Sequence, residues 1–374
     1  MIKTVEQYLE SLNDGREVWC LGEKVKDVRT HPTVSTIVRM AAMDYVLPNH
    51  PDFRDLFVTK DADGEDINFL LTSPKTPQDM LRRRECYMAG MRTGGGVLVH
   101  CMGADALASF SVAAEVMDKK MGTGYTERVE NYRRHLQKND LALTGAITDV
   151  KGDRSLHPSQ QKQHKDFYLR IVDRQKDGIV VRGAKVHISA SPCANELLCL
   201  PCRTHGEADK DYALGFAIPV AAKGVKLLGV EPNVRLYGEE CEFDYPTSDH
   251  LQPSESLIVF DDVFVPWERV FMCGEWQPGR DEKISPHARH RRGGHCRRKR
   301  FAQLQSRRRS HRHELRSGHE HIRRPGPVHS GSGLLGGQKT GEPVVSRKHD
   351  FRNGGIHGGA FDSAAGGIRN GPGR

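Results

Sequence analysis

Two different polymers meet near Trp276–Gln277, and this junction limits what the chain can fold into. Residues 1–277 carry 34 Lys+Arg and 41 Asp+Glu; residues 278–374 carry 22 and 7. The second part also holds 18 of the 38 glycines and 10 of the 19 histidines, with no Tyr or Trp. "RHRRGGHCRRKRFAQLQSRRRSHRHELRSGHEHIRRPG" has no lasting apolar period, so it cannot build a core. Clustered arginine favours phosphate, but a basic low-complexity run is a weak signal for nucleic acid. Arg, Gly, His, Ser and Pro dominate when a GC-rich gene is read out of frame. A frameshifted, disordered tail is therefore expected at 278–374, and nucleic-acid binding is not. Any fold must come from the acidic first 277 residues.

Within those residues, helix signals precede strand signals. "MIKTVEQYLESL" lacks the apolar core of a signal peptide; Thr4 and Gln7 fit a capping box, with Val5, Tyr8, Leu9 and Leu12 on one face. "TPQDMLRRRECYMAGMRTGGG" opens on a Thr76 cap with Pro77 first in the helix and stops at three glycines. "ADALASFSVAAEVMDKKMG" and "TERVENYRRHLQKND" read as two more helices. From Ala146 the pattern changes. "FYLRIVDRQKDGIVVRGAKVHIS" holds two β-rich runs around Lys176-Asp177-Gly178, a hairpin signal. "YALGFAIPV", "GVKLLGVE" and "SLIVFDDVFVPWERVF" are further strand runs, the last with Trp267 expected in the core. Helices first and strands second predict an α+β class: a helical domain over 1–145 and a β-domain over 146–277. Mean hydropathy is −0.59 and no apolar run approaches membrane-spanning length, so a cytoplasmic location is expected.

Nine scattered cysteines without a signal peptide argue for reduced thiols. Cys199-Leu-Pro-Cys202 with His205 and Cys193 has the look of a metal cluster, yet "NELLCLPCRTH" also reads as a buried strand with Cys as a small apolar residue. The core reading is preferred. His100-Cys101 sits before a helix, where a buried thiol is the ordinary outcome. No P-loop or G-x-G-x-x-G pattern follows a strand, which argues against a Rossmann domain. "TDVKGDRSLHPS" concentrates Asp149, Lys151, Asp153 and Arg154 around Gly152. Lys151 and Arg154 can pair with a pyrophosphate or carboxylate, Asp153 can orient Arg154 or accept from a hydroxyl, and Gly152 admits close backbone approach. A solvated loop fits the same composition. Glu255, at the entry of an apolar strand, has the setting of a desolvated base or of an exposed strand-entry carboxylate.

The ordered stretches resemble one flavoprotein family. "LNDGREVWCLGEKVKDVRTHP" and "FDYPTS…SLIVFDDVFVPWERVF" are similar to the branch of the 4-hydroxyphenylacetate 3-monooxygenase oxygenase component. "GAITDVKGDRSLHPSQQ", "DGIVVRGAKVHIS" and "EADKDYALGFAIP" are similar to the 4-hydroxybutyryl-CoA dehydratase branch. The resemblance covers about residues 1–277. It implies an acyl-CoA-dehydrogenase-like fold, with flavin bound in the middle β-domain, and a C-terminal helical bundle that this chain lacks. That absence would also remove the family's homotetramer. The resemblance places Lys151, Gly152, Asp153 and Arg154 along FAD, Ser189 near the flavin N5 edge, and Glu255 as a base.

The departures from the family narrow the chemistry. Dehydratases hold a [4Fe–4S] cluster through a C-x-x-x-C pair plus a later His and Cys. Here Cys101 keeps one position and Val97 replaces its partner, while His295 and Cys296 fall in the anomalous tail, so no cluster is expected. The phenol hydroxylases use an Arg-x-Pro-Asp-Tyr run and a His; here "MGADA" puts Met102 and Ala106 at the ends of that run, and Gly145 replaces the His. The expectation is an FAD-dependent enzyme of the two-component monooxygenase type, served by a separate flavin reductase and acting on a small aromatic substrate. The alternatives are a dehydratase- or isomerase-like enzyme acting on an acyl-CoA, and an inactive truncated product.

Overall fold

Cap chemistry starts the chain as its sequence demands. Thr4 Oγ1 accepts from the Gln7 N–H and the Gln7 side chain returns to the Thr4 N–H, a reciprocal cap that satisfies two otherwise orphan donors. The computed structural model describes residues 1–93, 99–230 and 254–277. The tail expectations, the "FDYPTS" stretch, the Gly94–Gly96 stop, Val97, His295 and Cys296 lie outside the described residues, as does the side chain of Cys101.

The elements follow in the order α1 (Val5–Ser11), β1 (Glu17–Cys20), β2 (Glu23–Lys24), α2 (Ser35–Val46), α3 (Pro51–Phe57), β3 (Val58–Lys60), β4 (Asp66–Asn68), α4 (Pro77–Thr93), α5 (Val99–Met121), α6 (Tyr125–Asn139), β5 (Leu143–Ala146), β6 (Arg170–Arg174), β7 (Gly178–Ser189), β8 (Glu196–Cys199), β9 (Leu214–Pro219), β10 (Val225–Val230), β11 (Glu255–Pro266) and β12 (Val270–Cys273). The predicted helices at Pro77, Val99 and Tyr125 are present. Thr76 caps α4, exchanging bonds with Asp79 at 3.1 and 2.8 Å. The N-terminus of α6 is capped by Asp118, which accepts from the N–H groups of Gly124, Tyr125 and Thr126. Burial works against its ionisation, but these bonds and that of Thr123 outweigh it and hold the carboxyl down at about 2.

Two sheets carry the second half. One has the order β2-β1-β10-β11-β7-β6, the other β12-β9-β8-β5. The hairpin expected at Lys176–Gly178 joins β6 and β7, and Trp267, partly buried against the core, donates its ring N–H to the Lys176 carbonyl. The stretch 1–145 is not wholly helical. Its residues Glu17–Cys20 form β1, which pairs in parallel with β10 and turns into β2 through Leu21 and Gly22, both at positive φ. The strand has only four residues and two inward side chains, Val18 and Cys20, too short a period to stand out beside longer helical patterns.

The smaller sheet is buried on both faces. Leu197, Cys199 and Phe216 point into a core shared with the large sheet, α1 and α2. Leu198, Ala217 and Phe271 point into a second core beneath α5 and α6. Such strands read as continuous apolar runs instead of alternating ones. Helix α5 meets this sheet closely. A Cβ added at Gly103 would lie 2.1 Å from the Leu143 carbonyl oxygen, so the contact requires glycine.

That contact yields a sign test. Gly→Ala in a free helix is stabilising by up to about 1 kcal/mol. At Gly103 we expect Gly103→Ala to destabilise by about 3 kcal/mol, read from thermal unfolding, because α5 must lift off β5.

Candidate flavin-binding site

A buried ion pair sets the path of the loop that follows β5. Lys185 on β7 places Nζ 2.7 Å from Asp149 Oδ1, with both side chains almost fully enclosed. The same ammonium donates to the carbonyls of Ile147 (3.0 Å) and Leu200 (2.9 Å), so all three of its protons are used. Backbone bonds from Val186 to Thr148 and from Val150 to Phe167 complete the attachment.

The loop then turns outward through two left-handed residues, Lys151 (φ 80°) and Gly152 (φ 56°). Only glycine fits the second position, where a Cβ would lie 2.6 Å from both Gln161 Oε1 and the Phe167 ring. Gln161 clamps the turn from below, accepting from the Asp153 N–H at 3.0 Å and donating to the Asp153 carbonyl at 2.8 Å. The Asp153 carboxylate is engaged by Ser155, whose N–H and hydroxyl both reach Oδ1. These bonds hold its carboxyl below the usual range. Asp153 therefore shapes the loop and does not pair with Arg154. Lys151 and the exposed Arg154 have no ion-pair partner among the described residues, so a folded loop presents two uncommitted cations.

Ser189 lies at the end of β7, four residues beyond Lys185. It pairs in register with Glu255, the first residue of β11, and its hydroxyl donates to Glu255 Oε1 at 2.9 Å. The Ser189 carbonyl accepts from Thr144 on β5, which ties this end of the large sheet to the small one. The other carboxylate oxygen, Oε2, lies 3.2 Å from His187 Nδ1. The Glu255 side chain is 43% exposed, a half-open carboxylate and not an enclosed one. His187 was not singled out by the sequence. Its signal, an exposed residue inside an otherwise alternating strand, is visible only with the pairing register.

The cysteine run has a different role. Cys199 and Cys193 are fully packed in the core, and burial pushes each thiol up to about 12. No group of three or more His, Cys, Asp or Glu side chains among the described residues is arranged to hold a metal ion. His205, 4% exposed, has neither ring nitrogen partnered among the described residues. Burial pushes it down to about 4, so it is neutral near pH 7.

Comparison with known proteins shows the family. The family model for the N-terminal part of 4-hydroxyphenylacetate 3-hydroxylase matches residues 4–272. The chain is 37% identical over 282 residues to 4-hydroxybutyryl-CoA dehydratase/vinylacetyl-CoA-Delta-isomerase of Clostridium aminobutyricum, covering 74% of this chain and 57% of that protein. It is 34% identical over 277 residues to the 4-hydroxyphenylacetate 3-monooxygenase oxygenase component of Thermus thermophilus, covering 73% and 55%. The chain belongs to the 4-hydroxyphenylacetate 3-hydroxylase family. Its fold is the expected acyl-CoA-dehydrogenase-like one. It superposes on an oxygen-tolerant archaeal 4-hydroxybutyryl-CoA dehydratase from N. maritimus with TM-score 0.69 at 31% identity, over 74% of this chain and 55% of that one. For the oxygenase component of 4-hydroxyphenylacetate 3-monooxygenase complexed with FAD the values are 0.65 and 30%, over 76% and 57%. The chain thus spans just over half the length of the relatives it matches. Among the described residues no helix is long and apolar enough to cross a membrane.

Two of the positions at which this family member departs from the hydroxylase pattern meet in space. A Cβ on Gly145 of β5 would touch the Ala106 Cβ of α5 at 3.5 Å, with the Met102 carbonyl at 4.0 Å. Small side chains on both elements leave this seam without a polar side chain from either position. Asp105, in the same run, is held by Arg83 and Tyr87 at 3.0 and 2.7 Å.

Two outcomes test the site's construction. Lys185→Met leaves Asp149 buried without its partner and should cost about 3–5 kcal/mol; replacing Asp149 by Leu as well should recover most of the loss in a denaturant melt. His205 titrates near 6.5 when unfolded and near 4 when folded. The unfolded chain therefore binds the proton first as pH falls. Stability present above pH 6.5 should decline toward pH 4 by up to about 3 kcal/mol. His205→Leu should flatten that part of the pH profile.

Proposed function

We propose that this chain binds FAD along the loop 151–154 and the adjoining ends of β7 and β11, and that it is an FAD-dependent oxidoreductase of the two-component monooxygenase type. The observation that carries the reading is the loop itself. A buried ion pair, a required glycine and a glutamine clamp hold it in one shape, while Lys151 and Arg154 have no ion-pair partner among the described residues. Such an arrangement suits the pyrophosphate of a dinucleotide, which needs fixed cations at low ordering cost. Ser189 would meet the flavin ring, with its hydroxyl proton committed to Glu255. Bound flavin would supply the exchange of electrons with oxygen or substrate. The chain's own groups would orient the cofactor and hold a proton at Glu255.

In this reading reduced flavin comes from a separate reductase, the substrate is a small aromatic molecule, and the setting is the cytoplasm. A second reading rests on the seam between α5 and β5 and on the 37% identity to the dehydratase. Gly145, Ala106 and Met102 offer no hydrogen bond to a phenol from their side chains. An acyl-CoA would accept such a wall, with Glu255 taking a proton from carbon.

Titration with FAD decides the common part. The full chain should bind FAD and turn yellow, and the double change Lys151→Ala/Arg154→Ala should weaken binding by about 10-fold or more. Riboflavin, lacking phosphate, should be little affected by that change. A protein that ignores FAD overturns both readings. Given binding, oxygen uptake with reduced flavin across a phenol panel favours the monooxygenase. Proton exchange into 4-carbon acyl-CoA thioesters without oxygen uptake favours the second reading.

A further inference from the structure

We infer that His187 is a positioning residue for Glu255: a strained β-bulge aims its imidazole across to the neighbouring strand, where it fixes the second oxygen of the carboxylate. The inference rests on the reading that Glu255 and Ser189 line the flavin site. It assigns a role to a residue outside the set that reading uses.

Three observations converge on it. First, the ladder between β7 and β11 slips at this point. Ser256 pairs with Ile188 but Ile258 pairs with Lys185, so Val186 and His187 together oppose Leu257. A bulge of this kind re-aims one side chain out of the alternating pattern. Second, His187 sits at φ 56°, in the left-handed region that costs a residue with a Cβ and persists where surrounding structure enforces it. Third, the strain buys one visible contact. His187 Nδ1 lies 3.2 Å from Glu255 Oε2 while Ser189 holds Oε1 at 2.9 Å. Against a carboxylate oxygen Nδ1 carries the proton and donates. The His187 side chain is otherwise 70% exposed, so it contributes little to the core. An exposed side chain in a strained conformation, whose one polar contact among the described residues is the Glu255 carboxylate, is placed for that carboxylate.

The arrangement restricts Glu255 from both sides. Ser189 fixes one oxygen from the paired residue directly across, and His187 fixes the other from two residues earlier on the same strand. The extra residue lets Lys185 stay on the buried face while His187 and Ser189, two residues apart, share the other face with Glu255. The Lys185–Asp149 pair lies immediately before the bulge, so the element that anchors the cofactor loop also holds the register that produces the slip.

The test separates strain from structure. His187→Gly removes the ring and relieves the left-handed backbone; His187→Asn keeps a short donor and tolerates that backbone. Full-length protein is labelled with ¹³C-glutamate, and the infrared carboxylate band lost in Glu255→Gln identifies Glu255. We expect His187→Gly to move that band and to unfold at the wild-type temperature or up to about 4 °C above it. His187→Asn should keep the band near its wild-type position. With FAD as probe, His187→Gly should weaken binding about fivefold and His187→Asn less than twofold. An unmoved Glu255 band, or a fall in unfolding temperature shared by both variants, overturns the assignment and makes His187 a structural part of the bulge. If wild-type protein fails to bind FAD, the flavin reading falls alone, and the band and the melting temperatures still decide whether His187 holds Glu255.

Discussion

Everything that the candidate site presents depends on one ammonium group. Lys185 is buried on β7, and its three protons go to Asp149, the Ile147 carbonyl and the Leu200 carbonyl. These acceptors belong to the residue after β5, the loop beyond it and the residue after β8. One side chain therefore holds together the large sheet, the small sheet and the loop. A buried charge is expensive unless every partner is in place, so the site is all or nothing in this respect. The turn that carries Lys151 and Arg154 follows directly on Asp149, so its path is tied to both sheets through Lys185. Asp153 and Gln161 then refine a shape that the ion pair has already chosen.

Local signals were legible; non-local ones were not. The Thr4–Gln7 box, the Thr76-Pro77 start and the Lys176–Gly178 hairpin each depend on residues within a few positions of one another, and all three appear in the structure. The reading of Cys199 as a small apolar residue also stands, since its strand is buried on both faces. By contrast, β1 pairs with β10, in the register Glu17 opposite Lys226, and nothing in "EVWC" announces so distant a partner. The Lys151–Arg154 segment was recognisable as unusual from composition. That Asp153 serves the loop and leaves Arg154 alone follows from Ser155 and Gln161, whose roles need the folded backbone. Ser189 and Glu255 were both candidates, but their contact depends on a register 66 residues apart in sequence. His187 could not be found at all without the slip in that register.

The relatives that this chain matches are named for two kinds of chemistry, a dehydratase/isomerase and a monooxygenase oxygenase component. On the proposed reading, the Glu255 carboxylate on β11, the Ser189 hydroxyl on β7 and the cationic loop after β5 would serve a flavin in either chemistry. They would not discriminate between a phenol and a thioester, and on the proposed readings that task would fall to the seam between α5 and β5. There Gly103 brings the helix flush against Leu143, and Gly145 faces Ala106 at van der Waals distance. A polar side chain added at Gly145 would enter the half-buried space beside Met102 without forcing the helix away, because its Cβ meets nothing closer than 3.5 Å. At Gly103 the same addition would strike backbone at 2.1 Å. One glycine of the pair is therefore a packing requirement and the other a choice. A side chain at 103 would force α5 away from β5, whereas one at 145 could be added without moving the two elements or the Lys185–Asp149 pair.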